Sequence, residues 1–310
     1  MDSPSLRARV IGACLFLFLL GTGAVCAQEE GKPYVLDDTI VQTVPATASK
    51  RDYEIYVRLP ADYATSTRRY PVVFLTDTDY GFPLVRSIAR RVGNSGNNIE
   101  DFILVGLSYA KHDTPIYSRN RDYTPTDVIR KGTKSYNQDG LKYGDAEAYR
   151  RYLADDVFPF VAKHYRADMK RKVYVGHSYG GLFGAYVALT EPGMFQHYIL
   201  SSPSLWFDRK VMFDIEREYA RHHPDLDARI FMATGAFETV KPGSREKRYN
   251  RENDLVKDML AFEKQLRARR YRHLQVSAYV IPDEDHLTVF PAVISRGLVW
   301  ALPGKNLWGD

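Results

Sequence analysis

Apolar residues in this chain fall into short continuous runs separated by longer stretches of helical spacing. The runs at 70–75, 102–107, 173–175, 197–202, 228–235 and 274–281 are rich in β-branched and aromatic residues, the pattern of strands buried on both faces of a mostly parallel sheet. Segments 34–44 and 53–59 alternate only partly, which predicts two half-buried antiparallel strands, the second closed by the turn residues Pro60-Ala61-Asp62-Tyr63.

Between the runs, helices are expected near 83–92, over 144–165, from Gly181 to Leu189 before Glu191-Pro192, over 208–222 and over 253–269. In the second of these, Tyr149, Tyr152, Leu153, Val157, Phe160 and Val161 form the inner face. Residues 110–143 break the rhythm with few aliphatics and many Tyr, Asp, Thr, Lys and Arg, and read as an irregular excursion over the active face. Strands alternating with helices predict a three-layer α/β domain with a mostly parallel sheet and antiparallel N-terminal strands. No repeat, low-complexity tract or linker divides it.

The N-terminus has a different character. Arg7 and Arg9 precede an apolar run from Val10 to Val25, then Cys26-Ala27-Gln28, which reads as a secretory signal cleaved after Ala27. The run is short for a membrane span. The expected organisation is therefore a signal peptide at 1–27 and one domain at 28–310, periplasmic or secreted, with no stable membrane insertion after cleavage. The two cysteines, Cys14 and Cys26, lie inside the leader, so the exported chain has no thiol for a disulfide, a nucleophile or a metal ligand.

The formal net charge is +5, a mild basic excess with no polybasic arm or recognised motif, so nucleic acid is not an expected partner. A small anionic molecule suits the excess better. No cofactor is implied, and no metal is expected: the pair His222-His223 lacks matched carboxylates.

The chemistry centres on Gly176-His177-Ser178-Tyr179-Gly180. Small residues two before and two after Ser178 let a strand and a helix approach closely while the serine is held in a strained, exposed turn. A serine hydroxyl needs a base, and His286 in Asp283-Glu284-Asp285-His286 directly follows the last strand. His177 is nearer in sequence, but neighbouring residues of an extended backbone point to opposite sides, so it reads as structural. For the carboxylate that orients the imidazole, Glu238 at the end of a strand lies between serine and histidine in the chain. Asp254, Asp283 and Asp285 are rivals, and a dyad without an acid stays open. An oxyanion hole would take backbone N–H groups from Tyr179 and from Asp79 after the 70–75 strand.

These residues, with Ser202-Pro203-Ser204-Leu205-Trp206, Arg121-Asp122-Tyr123-Thr124-Pro125, Gly235 through Glu238 and Asp285-His286, resemble the putative-esterase (esterase D-like) branch of the α/β hydrolases from about Tyr53 to Leu302. The resemblance implies an α/β-hydrolase fold, with Ser178 as nucleophile, His286 as base and Glu238 as acid. Within that branch the chain is similar to periplasmic esterases that open the trilactone of catecholate siderophores such as enterobactin. Thr78 departs from the glycine of the Leu-Asp-Gly turn common in relatives.

The expectation is thus an exported serine esterase acting through an acyl-enzyme on a small-molecule ester, with a ferric siderophore as candidate ligand. General carboxylesterase, thioesterase and acyltransferase are the enzymatic rivals, and a non-catalytic binder on the same scaffold is the rival of another class. Lys111, Arg119, Arg121, Arg130, Lys131, Lys134 and Lys142, interleaved with Tyr117, Tyr123 and Tyr136, give the excursion cations and aromatic faces for an anionic aromatic ligand. Lys241, Arg245, Lys247, Arg248 and Arg251 add to them. Arg119 and Arg121 are the candidate substrate-binding residues.

Overall fold

The computed structural model describes residues 31–128 and 140–306. The expected leader, and Arg130, Lys131, Lys134 and Tyr136 of the excursion, lie outside the described residues. The chain divides into a unit Met1–Asp37, whose described residues 31–37 form no strand or helix, and a compact unit Asp38–Asp310.

The compact unit is built on an eight-stranded sheet of order β1-β2-β4-β3-β5-β6-β7-β8. Its strands are β1 (Thr39–Ala46), β2 (Arg51–Arg58), β3 (Tyr70–Thr76), β4 (Ile103–Ala110), β5 (Ala167–His177), β6 (His197–Ser201), β7 (Ala228–Gly235) and β8 (Leu274–Ile281). β1 pairs antiparallel with β2 and β2 with β4, and every other pairing is parallel. The first strand starts later than its composition suggests: β2 ends at Arg58, ahead of Pro60, so pairing begins at Thr39.

Alternation along the strands divides the core. Val73, Leu75, Val173 and Val175 face α1 (Thr78–Arg91) and α8 (Val289–Ala301), while Val72, Phe74 and Tyr174 face the helices of the opposite layer. That layer includes α3 (Ala146–Tyr152), α4 (Phe158–His164), α5 (Tyr179–Thr190), α6 (Phe207–His222) and α7 (Leu255–Ala268). Helices on both faces of a mostly parallel sheet make the three-layer α/β-hydrolase architecture.

Three local features differ from the sequence reading. The excursion opens with a helix, α2 (Pro115–Asp122), capped by Thr114, whose hydroxyl accepts from Tyr117 N, with Pro115 in the first turn where no N–H is needed. The 144–165 helix is interrupted by a π-turn at Leu153–Val157, next to Pro159, which has no N–H to continue the ladder. Past it, Phe158 packs on Phe74 and Phe195, while Phe160 stays half-buried. Finally, α8 had no sequence expectation. Pro291 and Gly297 obscure its period, yet Gly297 is where it seats on the sheet, since a Cβ there would lie 2.5 Å from Ile199 Cγ2.

Candidate active site

Strand β5 delivers Ser178 into a turn with φ 57 and ψ −115, immediately before α5. A non-glycine residue there stores strain of about 1–3 kcal/mol, and the surrounding glycines make the turn possible. A Cβ on Gly176 would lie 2.4 Å from Gly180 O, and one on Gly180 would lie 2.4 Å from Thr76 Oγ1. The turn is pinned to the next strand end, with Ser178 N donating to Ser201 O and Ser204 N donating to Ser178 O.

His286 joins the serine to an acid. Its Nε2 is 3.1 Å from Ser178 Oγ and its Nδ1 is 2.7 Å from Glu238 Oε2. Glu238 is fully buried, and its other oxygen accepts from Ser202 Oγ at 2.6 Å and Gly235 N at 2.7 Å. A buried carboxylate needs such donors, because an unpartnered charge is costly away from water.

Two of the rival acids have structural duties. Asp254 caps α7 through Lys257 N and also accepts from Thr239 Oγ1 and Val240 N. Asp285 accepts from Leu287 N and Thr288 N, fixing the turn that carries His286 into α8. Asp283 sits at φ 60 in the preceding turn. Two supporting residues had no role assigned from sequence. Ser202 bonds Glu238, and Ser204, 1% exposed, has its hydroxyl 3.3 Å from Ser178 Oγ. Their signal was present in the Ser202-Pro203-Ser204 motif.

His177 makes no hydrogen bond to Ser178; its Nδ1 is 3.0 Å from Ser201 Oγ. Its ring lies against that of His286, with centroids 4.6 Å apart. Burial first, then the neighbouring His286 and Arg119, hold its pKa well below 6.5.

Tyr179 is the first residue of α5, and Asp79 lies in the first turn of α1, so both belong to helix N-termini, whose N–H groups lie ahead of the helical ladder. The close approach of Gly180 to Thr76 brings these two ends together. The positive φ of the β3–α1 turn falls on Asp77 (φ 59, ψ 61), and Thr78 is already helical, which is why threonine is accommodated at 78. Asp77 is 1% exposed and accepts from Arg119 Nε at 2.5 Å.

Ser178 and His286 open on two sides. One is a cleft of about 740 Å³ lined by Asp79, Tyr80, Leu84, Tyr109, Ile116, Arg119, Leu287 and Phe290 among others, and mostly apolar. The other, of about 350 Å³, is lined by Ser204, Trp206, Asn250, Arg251, Glu252 and Leu255 among others.

The cations are distributed differently from the sequence expectation. Arg119 lines the first cleft with its charge paired to Asp77. Arg121 lines neither: it is 4% exposed and bonds Asp122, Asp113 and Ser118 within the fold. Lys111 pairs with Glu54, Lys142 with Asp145, and Arg248 with Glu246 while stacking on Phe237. Arg251 has no ion pair among the described residues and faces the second opening. Among the described residues there is no group of three or more His, Cys, Asp or Glu placed to hold a metal ion, and no helix is long and apolar enough to cross a membrane.

This sheet order, serine turn and helix arrangement define an α/β hydrolase with a serine-hydrolase constellation. The sequence profile of the family described as Putative esterase matches residues 46–285, and the chain belongs to that family. It is 26% identical to the ferri-bacillibactin esterase BesA of Bacillus subtilis over 87% of this chain and 91% of that protein. It is 25% identical to the siderophore enterobactin esterase of Emericella nidulans over 82% of this chain and 91% of that one. The crystal structure of the BES protein from Bacillus cereus superposes with a TM-score of 0.73 at 21% identity, covering 88% of this chain and 99% of that one. The protein is an esterase acting on small-molecule esters.

Proposed function

We propose that the protein is an exported serine esterase of siderophore lactones, with Ser178 as nucleophile, His286 as general base and acid, and Glu238 as the group that orients the imidazole. The observation that carries the chemistry is the single ring of His286 bonded on one nitrogen to Ser178 and on the other to a buried carboxylate. In this mechanism His286 Nε2 takes the hydroxyl proton as Ser178 Oγ attacks the ester carbonyl. Negative charge develops on the carbonyl oxygen and is met by the N–H groups of Tyr179 and Asp79. His286 then gives the proton to the departing alcohol oxygen, leaving an acyl-serine. Water, deprotonated by the same nitrogen, attacks that ester, and collapse of the second tetrahedral intermediate returns the proton to Ser178 and releases the acid.

The substrate assignment is supported by the relatives, whose names are those of siderophore esterases, and by the two openings beside Ser178. Tyr80, Tyr109 and Phe290 offer aromatic faces in one, and Arg251 offers a cation in the other, suited to an anionic, aromatic-bearing lactone. Export rests on the signal-like leader 1–27, ahead of one catalytic domain. A second reading, a carboxylesterase of uncharged apolar esters, is favoured by the apolar cleft and by the commitment of Arg119 to Asp77.

The deciding experiment compares ferric and apo enterobactin with p-nitrophenyl butyrate, using Ser178→Ala as control. The siderophore reading expects a higher kcat/KM on the trilactone. Equal or better turnover of the simple ester supports the carboxylesterase reading, and loss of neither activity in Ser178→Ala removes the nucleophile.

A further inference from the structure

We infer that β8 is a self-association edge: two copies of this chain pair through it, antiparallel, about a two-fold axis normal to the sheet. β8 is the last strand of the sheet and, among the described residues, pairs only with β7. Its eight residues, Leu274-Gln275-Val276-Ser277-Ala278-Tyr279-Val280-Ile281, include no charged residue, proline or glycine. Natural edges of that length are blunted by a lysine, a proline or a covering element, because their outer N–H and C=O groups are a template for another strand. The opposite edge is blunted in this way, since β1 contains Pro45. Among the described residues the backbone of β8 takes one bond from outside the sheet, from the Arg267 guanidinium to the carbonyl of Val276.

The side chains of the strand suit burial against a partner. Tyr279 is 48% and Val280 39% exposed, one on each face. Tyr279 packs on Phe231, ring centroids 5.2 Å apart, and Phe231 packs in turn on Trp300 at 5.7 Å. An aromatic ring held in place before association adds contact area at little cost in side-chain freedom.

The strand is also self-complementary. A two-fold axis normal to the sheet keeps the α8 layers of both copies on one side, so each residue pairs with one of the same face. With Ala278 on the axis, Val276 meets Val280, Ser277 meets Tyr279 and Gln275 meets Ile281. The same register carries on to Arg272 against Glu284 at either end. The chain entering β8 is basic, with Arg270 and Arg272, and the turn leaving it is acidic, with Asp283, Glu284 and Asp285. An antiparallel partner therefore brings opposite charges together twice, whereas a parallel one would set like charges side by side. Arg272 and Glu284 have no ion pair among the described residues, which leaves both for the second copy. Because the pairing uses up the β8 edge of each copy, the assembly closes at two.

The test is sedimentation equilibrium of the protein exported with its own leader. The mass should rise toward twice that of the chain as its concentration approaches about 100 μM. Tyr279→Lys puts a charge on an exposed side chain in the middle of the pairing and should raise the dimer dissociation constant at least about tenfold. Arg272→Glu should raise it about fivefold, and adding Glu284→Arg should restore it to within about twofold of wild type, a recovery that damage to the fold does not produce. This pair of variants decides the matter if Tyr279→Lys does not fold.

A monomer at every concentration overturns the inference. So does a dimer unaffected by Tyr279→Lys, a double variant that associates no more tightly than Arg272→Glu, or a mass that keeps growing past two copies. The readout is mass alone, so its failure is distinct from a failure of the esterase reading, which Ser178-dependent turnover reports.

Discussion

The imidazole of His177 rests against that of His286, ring centroids 4.6 Å apart and planes inclined by 37°. Burial first, then the neighbouring His286 and Arg119, hold the pKa of His177 well below its ordinary value, so His177 enters this contact as a neutral ring near neutral pH. The proposed base works only when neutral, and activity falls with pH on the acid side. On that acid limb the logarithm of kcat/KM should fall with a slope of one, the signature of a single essential base. A slope of two would mean that both rings take up protons there.

Stability should have its own acid limb. His197 is pushed down to about 4 by burial and by Arg229 and Arg171, so between pH 6.5 and about 4 the unfolded chain binds a proton that the folded chain does not. Stability therefore decreases as pH falls through that window. With the partial exposure of the ring taken into account, the loss is about 1–2 kcal/mol. Urea unfolding of wild type and His197→Asn across the window measures it, and the variant should show the flatter dependence.

Glu238, the proposed orienting acid, is buried and paired with Ser202 and Gly235. Glu238→Gln presents an amide to His286 Nδ1 and favours the wrong tautomer, for a loss in kcat of about 10³–10⁴-fold. Ser202→Ala removes one of three partners of the carboxylate and should cost about three- to tenfold in kcat. Steady-state hydrolysis of a p-nitrophenyl ester reads both.

Arg121 and Arg251 should separate cleanly. Arg121→Ala leaves the buried Asp122 short of its guanidinium partner and should destabilise the fold by about 3–5 kcal/mol in urea unfolding. Arg251→Ala should change stability by less than about 0.5 kcal/mol. It should also raise KM for an anionic ester about fivefold relative to a neutral one, because its charge faces the opening beside Trp206.

What the sequence made legible follows from how local the signal is. The strands β3 to β8 and the turn at Ser178 announce themselves through continuous apolar runs and a glycine on each side of the serine. The position of Glu238 after β7 and of His286 after β8 follows from chain order once the fold is granted. The set of side chains that donate to the Asp77 carboxylate, Arg119, Tyr109 and Tyr80, is different. Its members come from residues 77, 80, 109 and 119, of which sequence places the first two in the turn after a strand, the third just past another strand and the fourth in an expected irregular excursion, and only the packing of β4, α1 and α2 joins them. The same holds for Arg121: it reads as an exposed cation beside a tyrosine, and its burial comes from Tyr53, Asp113 and Asp122 meeting around it. Helix α8 was obscured because Pro291 and Gly297 interrupt its pattern, although Asp285 and Thr288 mark its start.

The most direct test of the central claim, that Ser178 is the hydroxyl activated by His286, is intact-protein and peptide mass spectrometry after reaction with a fluorophosphonate. The account predicts a single adduct on Ser178, absent from Ser178→Ala and formed much more slowly in His286→Ala. An undiminished adduct in Ser178→Ala, or no adduct in the wild type, would contradict it.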